Sequence, residues 1–275
     1  MGRQISVGKQ IAAAAAILFV SAALAGCSQS ARNKVSNVTT GAVATGGAPQ
    51  NVAAMSTSEL EAAAQSLGKV YIRDPKDKAV AMRYANVLQM SGRTDQALAV
   101  MRKLAIDHPK DRDVLAAYGK ALAAAGELEP ALDAVRRAQT PEYPDWRLLS
   151  AEGAILDQLG QPDAARSLYR RALDLQPDEP SVLSNLGMSY LLQGDLKTAE
   201  MYMAKAASSP GADSRVRQNL ALVVGLQGRF KEAESIARQE LTAEQAEANV
   251  AYLRAMLSQN DSWSEIASED ARTTN

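Results

Sequence analysis

Cysteine, histidine and the larger aromatics are nearly absent: among 275 residues there is one cysteine, Cys27, one histidine, His108, two tryptophans and two phenylalanines. A lone cysteine excludes a disulfide framework within one chain. With no second histidine or thiol, the ligand set of a zinc site is missing as well, so no metal is expected. Charge of one sign is also lacking. The 30 basic and 31 acidic residues leave a net charge of −1, too little positive field for a run of phosphates, and nucleic acid is not an expected partner. There is no glycine-rich phosphate loop of the Walker or dinucleotide kind, and no motif that pairs a nucleophile with a base. A hydrolase would need such a pair assembled in space from residues the sequence does not mark. His108, just before Pro109, reads as an exposed turn histidine, and Asp133, Asp157 and Asp163 have the spacing of a solvated helix face. The expectation is a protein with no catalytic residue, no cofactor and no small-molecule substrate.

Long apolar runs are missing too, apart from Ile11 to Ala25, which is shorter than the roughly 20 residues a membrane span requires. It follows Arg3 and Lys9, precedes Gly26-Cys27, and so has the order of a secretory leader. Leu24-Ala25-Gly26-Cys27 resembles the lipobox of bacterial lipoproteins, which implies cleavage after residue 26 and lipidation (palmitate among the acyl chains) of Cys27. The same order would serve an ordinary leader or an uncleaved anchor helix. Cleavage removes two cations and no acid, leaving 28 basic against 31 acidic residues, so electrostatic attachment to anionic lipid is not the expected anchor. Ser28, rather than aspartate, follows the cysteine; in enteric bacteria this resembles the rule for sorting to the outer membrane. Residues 27–56 are rich in Ser, Thr, Ala, Asn and Gly without apolar periodicity, and read as a flexible tether with a reach of roughly 30 Å.

Beyond the tether the chain repeats itself. Gly92, Gly126, Gly160, Gly194 and Gly228 recur at one constant interval, and Ala97, Ala131, Ala165, Ala199 and Ala233 keep the same spacing. Seven residues before each glycine is a small residue (Ala85, Gly119, Gly153, Gly187, Ala221), and four before it a larger apolar one (Leu88, Leu122, Leu156, Tyr190, Val224). Pro75, Pro109 and Pro177 fall on the same grid. This period of about 34 residues and these columns resemble the tetratricopeptide repeat, a pair of antiparallel helices, A and B, per unit. The implied fold is all-α: a solenoid of about five repeats plus capping helices over 57–257, with units 78–111, 112–145, 146–179, 180–213 and 214–247. The small residue is expected where helix B crosses closely, and the glycine where helix A must turn. The segment from Ser58 to Asp74, with Leu67 and Val70, matches a helix B alone and caps one end. Residues 248–257, with Tyr252, Leu253, Met256 and Leu257, are expected to close the other, followed by a fraying polar tail over 258–275 that holds Trp263 and Ile266. Tyr143 stands where proline is expected, and Glu152 and Arg217 where apolar residues are usual.

Tetratricopeptide solenoids receive peptides on the face lined by the A helices. Mapped onto this chain, that face holds Met82, Asn86 and Gln89 in the first unit, Lys120 in the second, and Ala154 and Gln158 in the third. Asn185, Met188 and Leu192 follow in the fourth, and Gln218, Asn219 and Leu222 in the fifth. The asparagines would hydrogen-bond a ligand backbone, with Met and Leu as apolar anchors; the apolar residues of the last two units would equally serve as a seat for the closing helix. Arg83 and Asn86 fit a carboxylate clamp but its other residues are missing, which argues against a receptor for chaperone tails. The stretch Arg217-Gln218-Asn219-Leu220-Ala221-Leu222, through Gly225-Leu226-Gln227-Gly228-Arg229-Phe230, and Asn249-Val250-Ala251-Tyr252-Leu253-Arg254-Ala255-Met256-Leu257 resemble the TadD family of Flp (tight adherence) pilus assembly lipoproteins. That resemblance implies a pilotin-like lipoprotein, anchored on the periplasmic face of the outer membrane, that binds the pilus secretin or other pilus assembly proteins. A general envelope adaptor, for outer-membrane protein assembly or peptidoglycan enzymes, is the alternative.

Overall fold

Each helix pair begins the same way, with an acid one residue ahead of helix A. Asp77, Asp111, Asp145, Glu179 and Asp213 stand one repeat apart, and each accepts a backbone N–H from the first turn through its side chain. An acidic N-cap satisfies an otherwise unpartnered amide and complements the positive end of the helix dipole. The structure, a computed structural model, describes residues 55–140, 142 and 144–273, with side chains described as far as residue 259. The leader, Cys27 and all but the end of the tether lie outside the described residues, as do Pro141, Tyr143 and the side chains of Trp263 and Ile266.

The described residues form twelve helices and no strand. They fall into two compact units, the first ending at Thr140. The first holds α1 (Thr57–Arg73), the pair α2 (Lys78–Met90) and α3 (Thr94–Asp107), and the pair α4 (Arg112–Ala124) and α5 (Leu128–Ala138). The second holds three pairs, α6 (Trp146–Gln158) with α7 (Pro162–Leu175), α8 (Pro180–Leu192) with α9 (Leu196–Ser208), and α10 (Ser214–Leu226) with α11 (Phe230–Ala237). It ends in α12 (Ala243–Thr273). Within a unit each helix packs on its neighbour in sequence, and successive A helices also touch.

Inside a pair the turn is made by the repeated glycine. Gly92, Gly126, Gly160, Gly194 and Gly228 have φ between 72° and 81°, the left-handed region where a Cβ is strained. The amide following each glycine donates back to the carbonyl of the larger apolar column: Arg93 to Leu88, Glu127 to Leu122, Gln161 to Leu156, Asp195 to Tyr190 and Arg229 to Val224. This is the Schellman closure of a helix C-terminus. Four of those five donors, all but Asp195, make no side-chain cap for the helix B that follows; the closed turn aims it.

The pair is held by a knob of helix B set on the small residue of helix A. A Cβ added to Gly119 would stand 2.6 Å from Val135, one on Gly153 2.7 Å from Tyr169, and one on Gly187 2.8 Å from Met203. The knobs Met101, Val135, Tyr169 and Met203 are all 2% exposed or less, and each burial contributes about 2 kcal/mol.

Several details differ from the sequence reading. In α1 the fully buried positions are Leu60, Ala64 and Gly68; Val70 is 45% exposed and Leu67 half-buried, because α1 packs on α2 by another face. The closing helix is longer than 248–257: its backbone runs from Ala243 to Thr273. No glycine or proline interrupts residues 243–273, so helix propagation has nothing to stop it. Its seat on the second unit is made by Ala246, Val250 and Leu253, whereas Tyr252 is 46% exposed. The two charged departures from the apolar grid are accommodated. Arg217 is ion-paired with Glu240 and donates to the Ala212 carbonyl, and Glu152 is buried.

Candidate peptide-binding face

One position of helix A recurs at the repeat interval, and the side chains there differ between the two units. In the first unit the column holds Asn86 and Lys120, both exposed. In the second it holds Ala154, Met188 and Leu222, all half-buried. Met82 on α2 is half-buried and Gln89 exposed. Leu192 is half-buried at the end of α8. The second unit therefore presents thioether and aliphatic groups partly open to solvent, bordered by exposed Gln158 and Gln218. Such a surface takes apolar side chains of an extended or helical segment.

Met188 and Leu222 also pack against a core that includes Leu191, Met203, Val223 and Val250 of the closing helix. Each is half-buried, packed on this core and partly open to solvent.

Four of the six candidate amides, Gln158, Asn185, Gln218 and Asn219, bond within the protein. Asn185 Nδ2 donates to Ser150 Oγ at 3.1 Å, and Asn219 Nδ2 to Ser184 Oγ at 3.1 Å. Each bond joins one A helix to the preceding one, and both serines are buried, so these asparagines tie pair to pair. Gln158 donates to the Ala154 carbonyl at 3.3 Å and Gln218 to Ser214 Oγ at 2.8 Å, each within its own helix.

Asp157 departs most from its sequence reading. Rather than solvated, it accepts from Tyr169 Oη at 2.9 Å and from Ser189 Oγ at 2.7 Å, linking α6 to its own helix B and to the next helix A. Burial raises its carboxyl above the usual range, partly opposed by those hydrogen bonds and by Arg166. Burial, then the Asp157 charge, keeps the Tyr169 hydroxyl protonated. The sequence holds little sign of this, since nothing distinguishes Asp157 from Asp133 and Asp163, which are exposed and paired with Arg137 and Arg166. His108 is half-buried as the C-cap of α3, its Nε2 3.5 Å from the Lys76 carbonyl. Among the described residues no three His, Cys, Asp or Glu side chains converge as a metal site would require, and no helix is long and apolar enough to cross a membrane.

Two tetratricopeptide repeat family models match this chain, at residues 54–121 and 151–213. Among solved structures, it is similar to PilW, described as a widely conserved type IV pilus biogenesis factor. Identity is 20%, covering 66% of this chain and 84% of that one, with a TM-score of 0.55. A thermophilic tetratricopeptide repeat protein of Thermus thermophilus matches at 21% identity over 64% of this chain and 97% of its own, with a TM-score of 0.56. One from Parabacteroides merdae matches at 18% over 78% and 86%, with a TM-score of 0.54. No curated protein has a significantly matching sequence. At these identities the likeness establishes the fold.

Proposed function

We propose that this chain, a stack of tetratricopeptide repeats and hence a protein-interaction scaffold, is a lipid-anchored member of the TadD family that captures a segment of the pilus secretin at the outer membrane. The observation that carries the binding reading is the half-open column Ala154, Met188 and Leu222 on the A helices of the second unit. It offers apolar anchors on a rigid frame whose neighbouring amides are already committed to holding that frame.

The pilus assignment rests on the wording of residues 217–230 and 249–257, described above. PilW, a pilus biogenesis factor, has the same fold. The anchor rests on the leader and Gly26-Cys27. A tether of nearly 30 residues lets the repeats search a shell of roughly 30 Å about the lipid, where the secretin is met at raised effective concentration. Two measurements test the reading. Cys27→Ser should release the protein from the membrane and reduce secretin multimers in the outer membrane; normal multimers would overturn tethered capture. A photo-crosslinker at Met188 should recover a secretin segment. Recovery of outer-membrane assembly factors or peptidoglycan enzymes in its place would favour the general adaptor.

A further inference from the structure

The closing helix α12 packs as a further helix A, set four residues ahead of the repeat grid. Helix A of the second unit buries its third, seventh and tenth residues: Leu148, Glu152 and Ile155 in α6, and Val182, Leu186 and Ser189 in α8. In α12 the same spacing is met by Ala246, Val250 and Leu253, all buried. The grid would place Val250, Arg254 and Leu257 there, and Arg254 is exposed. Leu253 stands against Gly225, where an added Cβ would be 2.5 Å from it; two repeats earlier Ser189 stands in the same way against Asp157. The cause is α11, which has 8 residues against 11–14 in α3, α5, α7 and α9. The next helix therefore starts early, at Ala243, behind the reciprocal bonds of Thr242 and Gln245.

The shift changes which residues of α12 continue the A-helix face. After Ala154, Met188 and Leu222, the next position of the column falls on Tyr252, which is 46% exposed. After Asn185 and Asn219, the next falls on Asn249. Asn185 and Asn219 are held by Ser150 and Ser184. In α10 the position of those serines is taken by Gln218, which bonds to Ser214. Asn249 thus meets no such serine, and it is exposed. One asparagine of the three is left for a ligand, beside an open aromatic ring.

We infer, resting on the binding column proposed above, that α12 completes the site and selects its occupant. The occupant is an extended, uncharged peptide segment with apolar side chains about three residues apart, the last on the Tyr252 ring and its backbone on the Asn249 amide. Packed helices stand about 8–10 Å apart, which an extended chain crosses in about three residues. An extended backbone also has free N–H and C=O groups to offer an asparagine, whereas a helix keeps them for itself. The column and asparagine positions of α6, α8, α10 and α12 carry no charge, where those of the first unit include Arg83 and Lys120. A charged side chain of the occupant would lose water there and gain no partner. Tyrosine supplies a large contact area with few rotamers to fix, as binding anchors do.

The test uses the full chain. A photo-crosslinker at Tyr252 should recover the same partner segment as one at Met188. Recovery at Met188 alone would overturn the inference and leave the proposed function standing; recovery at neither would overturn both. The segment recovered at Met188, synthesised with capped ends and a fluorescent label, is then titrated with the full chain in detergent. Tyr252→Ala should weaken binding about tenfold or more and Asn249→Ala about threefold to tenfold. Tyr252→Phe should keep the affinity, because the ring makes the contact, and Met201→Ala, exposed on α9, should change nothing. One residue inserted between two apolar anchors of the peptide should cost as much as Tyr252→Ala. Wild-type affinity in Tyr252→Ala or Asn249→Ala, or for the lengthened peptide, would overturn the inference.

Discussion

The ring of Tyr169 lies so close to Gly153 that a Cβ on the glycine would stand 2.7 Å from Tyr169 Cε1, while the same side chain's hydroxyl donates to Asp157, one turn further along the glycine's helix, at 2.9 Å. One aromatic residue of helix B thereby spans a full turn of helix A, gripping it at both ends. The glycine makes room for the ring, and the aspartate fixes its tip.

Gly153→Ala should therefore destabilise the protein despite improving the helix. Alanine contributes about 1 kcal/mol over glycine in a helix interior, whereas forcing a methyl into a filled contact costs about 1–3 kcal/mol. The expected net loss is about 1 kcal/mol, read as a lower urea midpoint; a midpoint equal to or above the wild-type value refutes the contact. Ala85 and Ala221 show when alanine is tolerated at this position. Ala221 packs with Ala237, which is small.

Asp157 should make stability depend on pH in the direction opposite to an ordinary carboxylate. Its folded-state pKa is raised, chiefly by burial, so the folded protein holds a proton that the unfolded chain has already released. Stability conferred by Asp157 is then greatest at low pH and falls as pH rises from the unfolded carboxylate value through the folded one. Asp157→Asn removes the titration. The gap in unfolding free energy between wild type and variant should shift against the wild type as pH rises through that window, measured by urea melts at several pH values. A gap that stays constant would show that Asp157 is charged in both states.

Asp111 should act with the usual sign. Its hydrogen bond with Lys78, at 2.7 Å, holds the carboxyl below the usual range, and its cap bonds to Val114 and Asp113 add to this against an opposing effect of burial. That stabilisation is present above the unfolded pKa and lost as pH falls through the folded one. Because Lys78 and Asp111 are both about one-third exposed, the ion pair itself is worth less than about 1 kcal/mol. Asp111→Asn, which keeps a cap acceptor, should cost less than Asp111→Ala, for which a lost N-cap predicts about 1–2 kcal/mol. Equal losses in chemical denaturation would mean that the charge, not the cap, matters.

Asn219→Ala should cost about 1–2 kcal/mol by leaving the hydroxyl of Ser184, a buried residue, without its hydrogen bond. Pairing it with Ser184→Ala should recover part of the loss, because both ends of the bond are then removed together. A double variant no more stable than Asn219→Ala would show that the bond is incidental.

How much of this is legible in the sequence depends on which feature repeats. The glycine turns and the small-residue column recur in every pair and can be read as a grid, and the structure places them at the left-handed turns and close crossings expected. The acidic column Asp77, Asp111, Asp145, Glu179 and Asp213 recurs just as regularly and is open to the same reading, but an acid in a connecting segment looks like ordinary solvated charge until its acceptor role is seen. Asp157 misleads for a different reason: its spacing is that of an exposed helix position, and its partners Tyr169 and Ser189 come from the next two helices. Asn185 and Asn219 point to a ligand because the A-helix face is where ligands sit; that their partners are serines on the preceding A helix is a fact of packing. Helix α12 runs past its expected end because a repeat grid says nothing of where the last helix stops.

The closed glycine turns also govern how such a chain can change its length. Three residues separate α2 from α3, and the same number each later helix A from its helix B, all held by the returning hydrogen bond, so an insertion there would re-aim a whole helix and unseat its knob. Between pairs no such closure recurs among the described residues. Duplication or deletion of whole repeats preserves every kind of contact, and a chain assembled this way lengthens by gaining entire hairpins, as a ladder does by rungs.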